Sequence, residues 1–149
     1  MFFPLPSRRE FISIEDNKEL VLRWRDEIWN KRNVTALDDL AAADYVAHMA
    51  GFPGPVRGRE AGKQMFAAWL ASFEIRVTTE LLIAEGGMVA VRDSIWAKSV
   101  GEFQGAPATG KEGTLTSTDI YRIVDGKVAE QWFEADYTGF TQQLGVHPH

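Results

Sequence analysis

The stretch IRVTTELLIAEGGMVAVRDSIWA, residues 75–97, decides the fold of this chain. Apolar and polar residues alternate over residues 75–83 and again over residues 89–97, which is the period of a half-buried β-strand. Between these two runs, Glu85-Gly86-Gly87 is a hairpin turn. The stretch therefore predicts two antiparallel strands, each with one apolar face.

The same pattern continues toward the C-terminus. Residues 115–123 and 128–135 predict two more strands, and Val124-Asp125-Gly126-Lys127 between them is a strong hairpin signal. Residues 101–111 contain Pro107 and several glycines, which is typical of a loop. The second half of the chain thus predicts a four-stranded antiparallel meander.

Upstream of this meander the apolar residues recur at helical spacing. Helices are predicted over residues 16–30, around residues 36–40 and over residues 59–73, with a short extended piece at 45–49 and a closing helical turn at 138–144. A capping box at Asp16–Glu19 would open the first helix. Helices followed by strands predict an α+β fold. We expect a cone-shaped, curved antiparallel sheet whose N-terminal helices enclose an apolar pocket.

Composition narrows the class of protein. The 149 residues are the size of one domain, predicted over 14–146 between a flexible N-terminal arm (1–13) and a tail (147–149). Sixteen Lys and Arg against 21 Asp and Glu give a net charge of −5, which argues against nucleic-acid binding. The absence of cysteine excludes disulfides, and a single internal histidine predicts no metal site. No nucleotide fingerprint, membrane span or secretory signal is visible, so we expect a cytoplasmic, cofactor-free protein with no membrane partner.

An ordered set of short segments carries a resemblance to a known family. The segments include Asn17-Lys18-Glu19-Leu20-Val21, Asp44-Tyr45-Val46, Gly58-Arg59-Glu60, Gly105-Ala106-Pro107-Ala108-Thr109-Gly110, Asp119-Ile120-Tyr121-Arg122-Ile123-Val124-Asp125-Gly126-Lys127 and Glu130-Gln131-Trp132. In this set the chain resembles the SnoaL-like polyketide cyclases, within the nuclear-transport-factor-two-like superfamily. The resemblance spans residues 14–146 and implies the cone-shaped fold with its pocket.

The family's acid/base residues are not retained. Its anthracycline cyclases use an aspartate on the last long strand, a histidine on the preceding strand and an asparagine after the first short strand. These positions correspond here to Phe133, Asp119 and Ala47. The resemblance therefore implies an inherited pocket without the inherited aldol chemistry.

Two related enzyme groups fit less well. The limonene epoxide hydrolases place an arginine and an aspartate two residues apart on one strand face, whereas Arg92 here is followed directly by Asp93 and Ser94. The ketosteroid isomerase pattern of a base aspartate with a tyrosine and a protonated aspartate cannot be mapped residue by residue.

Asp119 and Asp93 are the main candidates for chemistry, because each interrupts an apolar strand face. A carboxylate in apolar surroundings has a raised pKa and can act as an acid or base near neutral pH. Two carboxylates in one cavity would also separate their pKa values. The alternatives are that Asp119 only fixes the sheet through a neighbouring Ser, Thr or Arg, and that Asp93 is solvent-exposed or pairs with Arg76 or Arg122.

His48 is the third candidate for proton transfer, with a loop histidine bonded to backbone as the alternative. The side chains expected to line the pocket are Tyr45, Ala47, Tyr121, Phe133, Trp24 and Phe66.

Two functions follow from these expectations. The first is a cofactor-free cyclase, isomerase, dehydratase or hydrolase acting on a hydrophobic carbonyl compound, with Tyr121 or Tyr45 donating to a developing oxyanion. The second is a non-catalytic protein that binds a small hydrophobic molecule. Trp96 and Trp132 are expected on the outer sheet face, where they predict a homodimer.

Overall fold

The helices lie mainly in the first half of the chain, as expected. The computed structural model describes Leu5 and residues 8–146. Outside the described residues lie residues 1–4, 6 and 7 of the predicted arm, and the predicted tail with His147 and His149. The helices are α1 (Arg8–Trp24), continued by a π-helical turn (Arg25–Asn30), then a 3₁₀ turn (Val34–Ala36), α2 (Leu37–Leu40), α3 (Arg59–Ser72) and α4 (Tyr137–Leu144). None of the helices in the described part of the chain is long and apolar enough to cross a membrane.

The strands form one six-stranded sheet. They are β1 (Ala41–Met49), β2 (Val56–Arg57), β3 (Phe73–Glu85), β4 (Met88–Ser99), β5 (Glu112–Val124) and β6 (Lys127–Ala135), in the spatial order β2-β1-β6-β5-β4-β3. The predicted antiparallel meander is confirmed as β3 to β6. The sheet is larger than predicted, because β1 pairs in parallel with β6 and β2 extends the edge.

The start of the first helix differs from the prediction. Asp16 lies inside α1, which begins at Arg8, so the predicted capping box does not open the helix. The apolar spacing was the better guide, since Val21, Trp24 and Ile28 are fully buried. These side chains pack against the sheet and form the core of the cone.

The strand faces of β4 and β5 agree with the predicted alternation, but β3 departs from it. The register between β3 and β4 shifts between Thr79 and Leu81, where Glu80 is an extra residue. A β-bulge of this kind turns every following side chain to the opposite face. Leu81 and Ile83 are therefore 59% and 68% exposed, although alternation placed them on the buried face of Ile75.

Candidate functional site

The cone encloses a small cavity between the sheet and the helices, with a volume of about 50 Å³. Its walls are mostly apolar and include Trp29, Val77, Phe133 and Phe140. Four polar side chains also line it: Arg25, Asp119, Gln131 and Tyr137. The expected apolar pocket is therefore present, with a few polar groups grouped in its wall.

Arg25 connects the two candidate aspartates. It opens the π-helical turn, is 4% exposed, and contacts residues on both of the neighbouring strands β4 and β5. Its Nη2 donates to Asp93 Oδ2, and its Nη1 lies 3.3 Å from Asp119 Oδ2. Both carboxylates are completely buried. The three side chains thus form an Asp93–Arg25–Asp119 cluster, in which one guanidinium bridges two carboxylates.

Most of the remaining acceptors and donors of this cluster are satisfied by neighbouring side chains, whereas Arg25 Nε is buried without a partner among the described residues. Asp119 Oδ2 accepts a 2.7 Å hydrogen bond from Gln131 Nε2, while Asp119 Oδ1 accepts a 3.3 Å bond from Ser117. Thr79 Oγ1 donates to Asp93 Oδ1 at 2.9 Å. The Tyr121 hydroxyl accepts from Arg25 Nη1 at 2.5 Å. Such a network fixes the side chains, because each buried polar group would otherwise lose its solvation without compensation.

Burial and charge act against each other within the cluster. Burial raises the pKa of Asp93, and Arg25 and Thr79 oppose that rise while Asp119 adds to it. For Arg25, burial disfavours the charged form, but Tyr121 and the two aspartates outweigh it and the pKa of Arg25 rises. Arg25 therefore stays positive. One positive charge faces two carboxylates, so the cluster can hold or release a proton on its carboxylate side.

The structure places the two candidate aspartates differently. Asp119 lines the cavity and is also bonded to Ser117 and Arg25. Its role as an acid or base stays a prediction. Asp93 binds the far side of Arg25 and is not among the cavity-lining residues. The alternative that Asp93 is solvent-exposed or pairs with Arg76 or Arg122 was wrong, because Asp93 is completely buried and both arginines are exposed on the outer face of the sheet.

Only Phe133 of the six predicted pocket residues lines the cavity. The other five are completely buried in the core behind the cavity wall: Tyr45, Ala47, Tyr121, Trp24 and Phe66. Trp24 packs against Tyr45, Phe66 and Tyr121 with ring centroids 5.5–6.0 Å apart. The prediction was wrong for these five because tight aromatic packing fills the closed end of the cone and leaves no space beside them.

His48 lies on the opposite face of the sheet. Its ring stacks on Trp132 at 5.3 Å, and its Nε2 is 2.6 Å from Glu130 Oε2. Arg122 also binds Glu130, and His48 and Arg122 together lower the pKa of that carboxylate. His48 does not reach the cavity, so the expectation that it moves protons together with Asp119 was wrong. Its β1 neighbours Ala47 and Met49 point inward, and strand alternation turns His48 outward.

No cofactor site is evident from the side chains that the structure describes. Within residues 13–146, whose side chains are described, no three His, Asp or Glu residues are grouped in a way that could hold a metal ion. The two buried aspartates are already bound by Arg25.

Comparison with known proteins agrees with this architecture. The family model for SnoaL-like polyketide cyclases matches residues 19–144. The chain belongs to the SnoaL-like polyketide cyclase family. Aklanonic acid methyl ester cyclase DauD of Streptomyces sp. (strain C5) is 28% identical over 121 residues, which cover 76% of this chain and 74% of that protein.

Solved structures of SnoaL-like proteins have the same fold. IdmH of Streptomyces antibioticus, described as a candidate polyketide cyclase, is 27% identical with a TM-score of 0.76, covering 87% of this chain and 99% of IdmH. A candidate SnoaL-like polyketide cyclase from Jannaschia sp. CCS1 has a TM-score of 0.84 at 21% identity, covering 98% and 100% of the two chains. The latter similarity concerns the fold alone.

Two of the three positions that depart from the family's acid/base pattern are direct neighbours on the sheet. Asp119 on β5 is the direct cross-strand partner of Phe133 on β6. Side chains at such paired positions have Cβ atoms about 5 Å apart. The resemblance implies that the family's acid/base aspartate lies at the position of Phe133 on β6. In this chain the cavity carboxylate is instead Asp119, on the neighbouring strand β5.

Three polar residues of the site were missed by sequence reasoning. Arg25 has a signal in the sequence, since it lies four residues after Val21 and three before Ile28 and so interrupts their buried stripe. Gln131 lies in the middle of β6 and Tyr137 is the first residue of α4, and no spacing distinguishes them.

Proposed function

We propose that this SnoaL-like protein is a cofactor-independent enzyme that transfers a proton on a hydrophobic, carbonyl-bearing small molecule. One observation carries the proposal: Asp119 provides the only carboxylate among the described side chains that line the apolar cavity. Enzymes of this kind require a positioned acid or base close to the substrate in surroundings that exclude water.

Asp119 is suited to the role of the base. Its Oδ2 is held by Arg25 and Gln131, whereas its Oδ1 accepts one long bond from Ser117 and retains acceptor capacity. Oδ1 would take a proton from the carbon next to a substrate carbonyl. The electron pair of the broken C–H bond then moves onto the carbonyl oxygen and forms an enolate. Return of the proton to another atom completes an isomerisation, and attack of the enolate on a second carbonyl completes a ring closure.

Arg25 and Asp93 support this proton transfer through their contacts with Asp119 and with each other. Arg25 holds Asp119 in a fixed orientation before the reaction, and Asp93 holds the guanidinium from its other side. When Asp119 gains a proton, Asp93 still balances the buried positive charge. The cluster therefore avoids an isolated buried charge in both protonation states, which would cost several kcal/mol.

The substrate class follows from the cavity walls. Apolar side chains from β3, β4, β6 and α4 surround Asp119, and a recess of about 200 Å³ lies next to the cavity on the protein surface. A substrate of the size of an aromatic ketone would fill the inner cavity and extend into the recess. Ligand sites commonly combine apolar walls with a few polar groups in this way.

Proton exchange at a model ketone tests the proposal without knowledge of the natural substrate. In D₂O, the protein should accelerate deuterium incorporation next to the carbonyl of 1-indanone, followed by NMR. Asp119→Asn should lower the protein-dependent rate by about 10²–10⁴-fold. Asp125→Asn, in the exposed β5–β6 turn, is the matched carboxylate-to-amide control and should retain the rate.

Non-catalytic binding is the second candidate function. It is favoured by Phe133, which places an apolar ring where the family resemblance implies an acid/base aspartate. The same experiment separates the two functions. Binding of 1-indanone with no exchange above the Asp119→Asn rate would support a binding protein and contradict the enzyme.

We also propose that the protein forms a homodimer through the outer sheet face. Leu81, Ile83 and Ile120 are exposed on that face, and Trp132 is partly exposed beside them. Arg92 and Arg122 alternate there with Glu80 and Glu130, so the face carries both charges and is self-complementary. A second copy of the chain is the partner that such a face fits.

A further inference from the structure

Tyr137 stands between the cavity and the surface recess. It is the first residue of α4 and lines both spaces, as does Trp69. Its ring stacks on Trp69 with centroids 5.9 Å apart and lies 6.0 Å from the ring of Phe133. A molecule that reaches Asp119 from the recess would therefore pass against the Tyr137 ring.

The hydroxyl of Tyr137 is buried and has no hydrogen-bond partner among the residues that the structure describes. Leaving such a group unpaired is unfavourable, and native proteins rarely do so without a reason. Burial raises the pKa of Tyr137, and Asp119 and Glu134 add to the rise. The phenol therefore remains protonated and available as a hydrogen-bond donor.

The other two tyrosines near the cluster are already engaged. Tyr45 donates to Gln131 Oε1 at 2.6 Å, and the Tyr121 hydroxyl is bonded to Arg25. Both are completely buried away from the cavity. The expectation that one of them donates to a substrate oxyanion was therefore wrong, because neither hydroxyl faces a space that a substrate can occupy.

We propose that Tyr137 binds the carbonyl oxygen of the small molecule through its hydroxyl and so selects oxygen-bearing ligands over hydrocarbons. This role rests on the proposed function, since it assumes that a small apolar molecule enters the cavity. Tyr137 Oη–H donates to the ligand oxygen while Asp119 faces the neighbouring carbon. As negative charge develops on that oxygen, the hydrogen bond becomes charge-assisted and stronger.

Paired ligands test the role. 1-Indanone and indane differ in the carbonyl oxygen, and Tyr137→Phe removes only the hydroxyl from the protein. NMR titration should show that Tyr137→Phe weakens binding of 1-indanone roughly 2- to 12-fold and leaves binding of indane unchanged. The exchange rate of bound 1-indanone should fall as well, because the enolate oxygen loses its donor.

Thermal unfolding separates ligand binding from a structural role. Tyr137→Phe should unfold at the same temperature as the wild type or higher, since it removes an unpaired buried hydroxyl. Tyr45→Phe breaks the bond to Gln131 and should unfold at a lower temperature.

The outcomes that would overturn this role differ from those that would overturn the proposed function. If Tyr137→Phe weakened the binding of 1-indanone and indane equally, or weakened neither, the role of Tyr137 would be overturned and the proposed function would still stand. A wild-type protein that binds neither ligand would overturn both.

Discussion

Arg25 is the residue whose removal tests the buried cluster most directly. In the Arg25→Met variant the stem of the side chain is largely kept, and the guanidinium that contacts Asp93, Asp119 and Tyr121 is lost. Both carboxylates are completely buried, so neither can recover its solvation by turning toward water. We expect Arg25→Met to be the most destabilising single change within the cluster.

The magnitude follows from the burial of the partners. Removing one member of a buried, hydrogen-bonded ion pair costs about 3–5 kcal/mol, because a charge is left uncompensated. A domain of this size has a free energy of unfolding of about 5–15 kcal/mol. Arg25→Met should therefore remove a large part of the stability at pH 7.5, measured by urea unfolding with tryptophan fluorescence.

The loss should depend on pH with a definite sign. Burial and the nearby Asp119 raise the pKa of Asp93, and Arg25 opposes that rise. Without Arg25, the pKa of Asp93 should therefore lie further above the unfolded value of about 3.9. When the pKa of a carboxyl is higher in the folded state than in the unfolded state, the protein loses stability as the pH rises from the unfolded pKa through the folded pKa. The difference in the free energy of unfolding between Arg25→Met and the wild type should thus shrink as the pH falls from 7.5 toward 4.

A triple variant provides the control. Arg25→Met combined with Asp93→Asn and Asp119→Asn removes all three charges, and replacing a whole buried ion group is often neutral or stabilising. It should recover most of the lost free energy of unfolding at pH 7.5. The reasoning would be refuted if Arg25→Met lost less than about 1 kcal/mol of the free energy of unfolding at pH 7.5, or lost the same amount at pH 7.5 and pH 4. Buried carboxylates without a compensating charge require a larger cost that depends on pH.

Two further predictions concern Phe133 and the outer sheet face. The unmodified protein should not close the ring of aklanonic acid methyl ester, and efficient ring closure would contradict this prediction. Calorimetry should show that the unmodified protein binds a flat aromatic ligand more tightly than Phe133→Asp does. The difference in binding free energy should be at most the roughly 1.5–3 kcal/mol that a buried apolar side chain contributes. Sedimentation equilibrium at micromolar concentration should give twice the chain mass of 16.7 kDa, whereas a monomer would exclude the homodimer.

Periodicity determined most of the fold. Alternation located the four meander strands, and helical spacing located the buried stripe of Val21, Trp24 and Ile28. These patterns are reliable because each reports one repeated choice between core and solvent along a regular element. The same reasoning identified Asp93 and Asp119, since a charge that interrupts an apolar face is visible in the sequence.

Features that depend on contacts between distant elements were decided only by the tertiary structure. The bulge at Glu80 reverses the faces of Leu81 and Ile83 because a register shift is defined by the partner strand, not by the alternation within β3. Similarly, the parallel pairing of β1 with β6 joins segments far apart in the sequence. No local pattern specifies either pairing.

The site itself shows the same division. The sequence by itself determined that Asp93 and Asp119 each interrupt an apolar strand face, and left open whether they are buried. Only the tertiary structure decided that Arg25 from the π-helical turn bridges them, although the partners are 68 and 94 positions apart in the sequence. It also placed Tyr137 at the cavity and kept His48 on the opposite face. A buried charge must find a partner wherever the fold brings one close, and that proximity is set by packing across the whole domain.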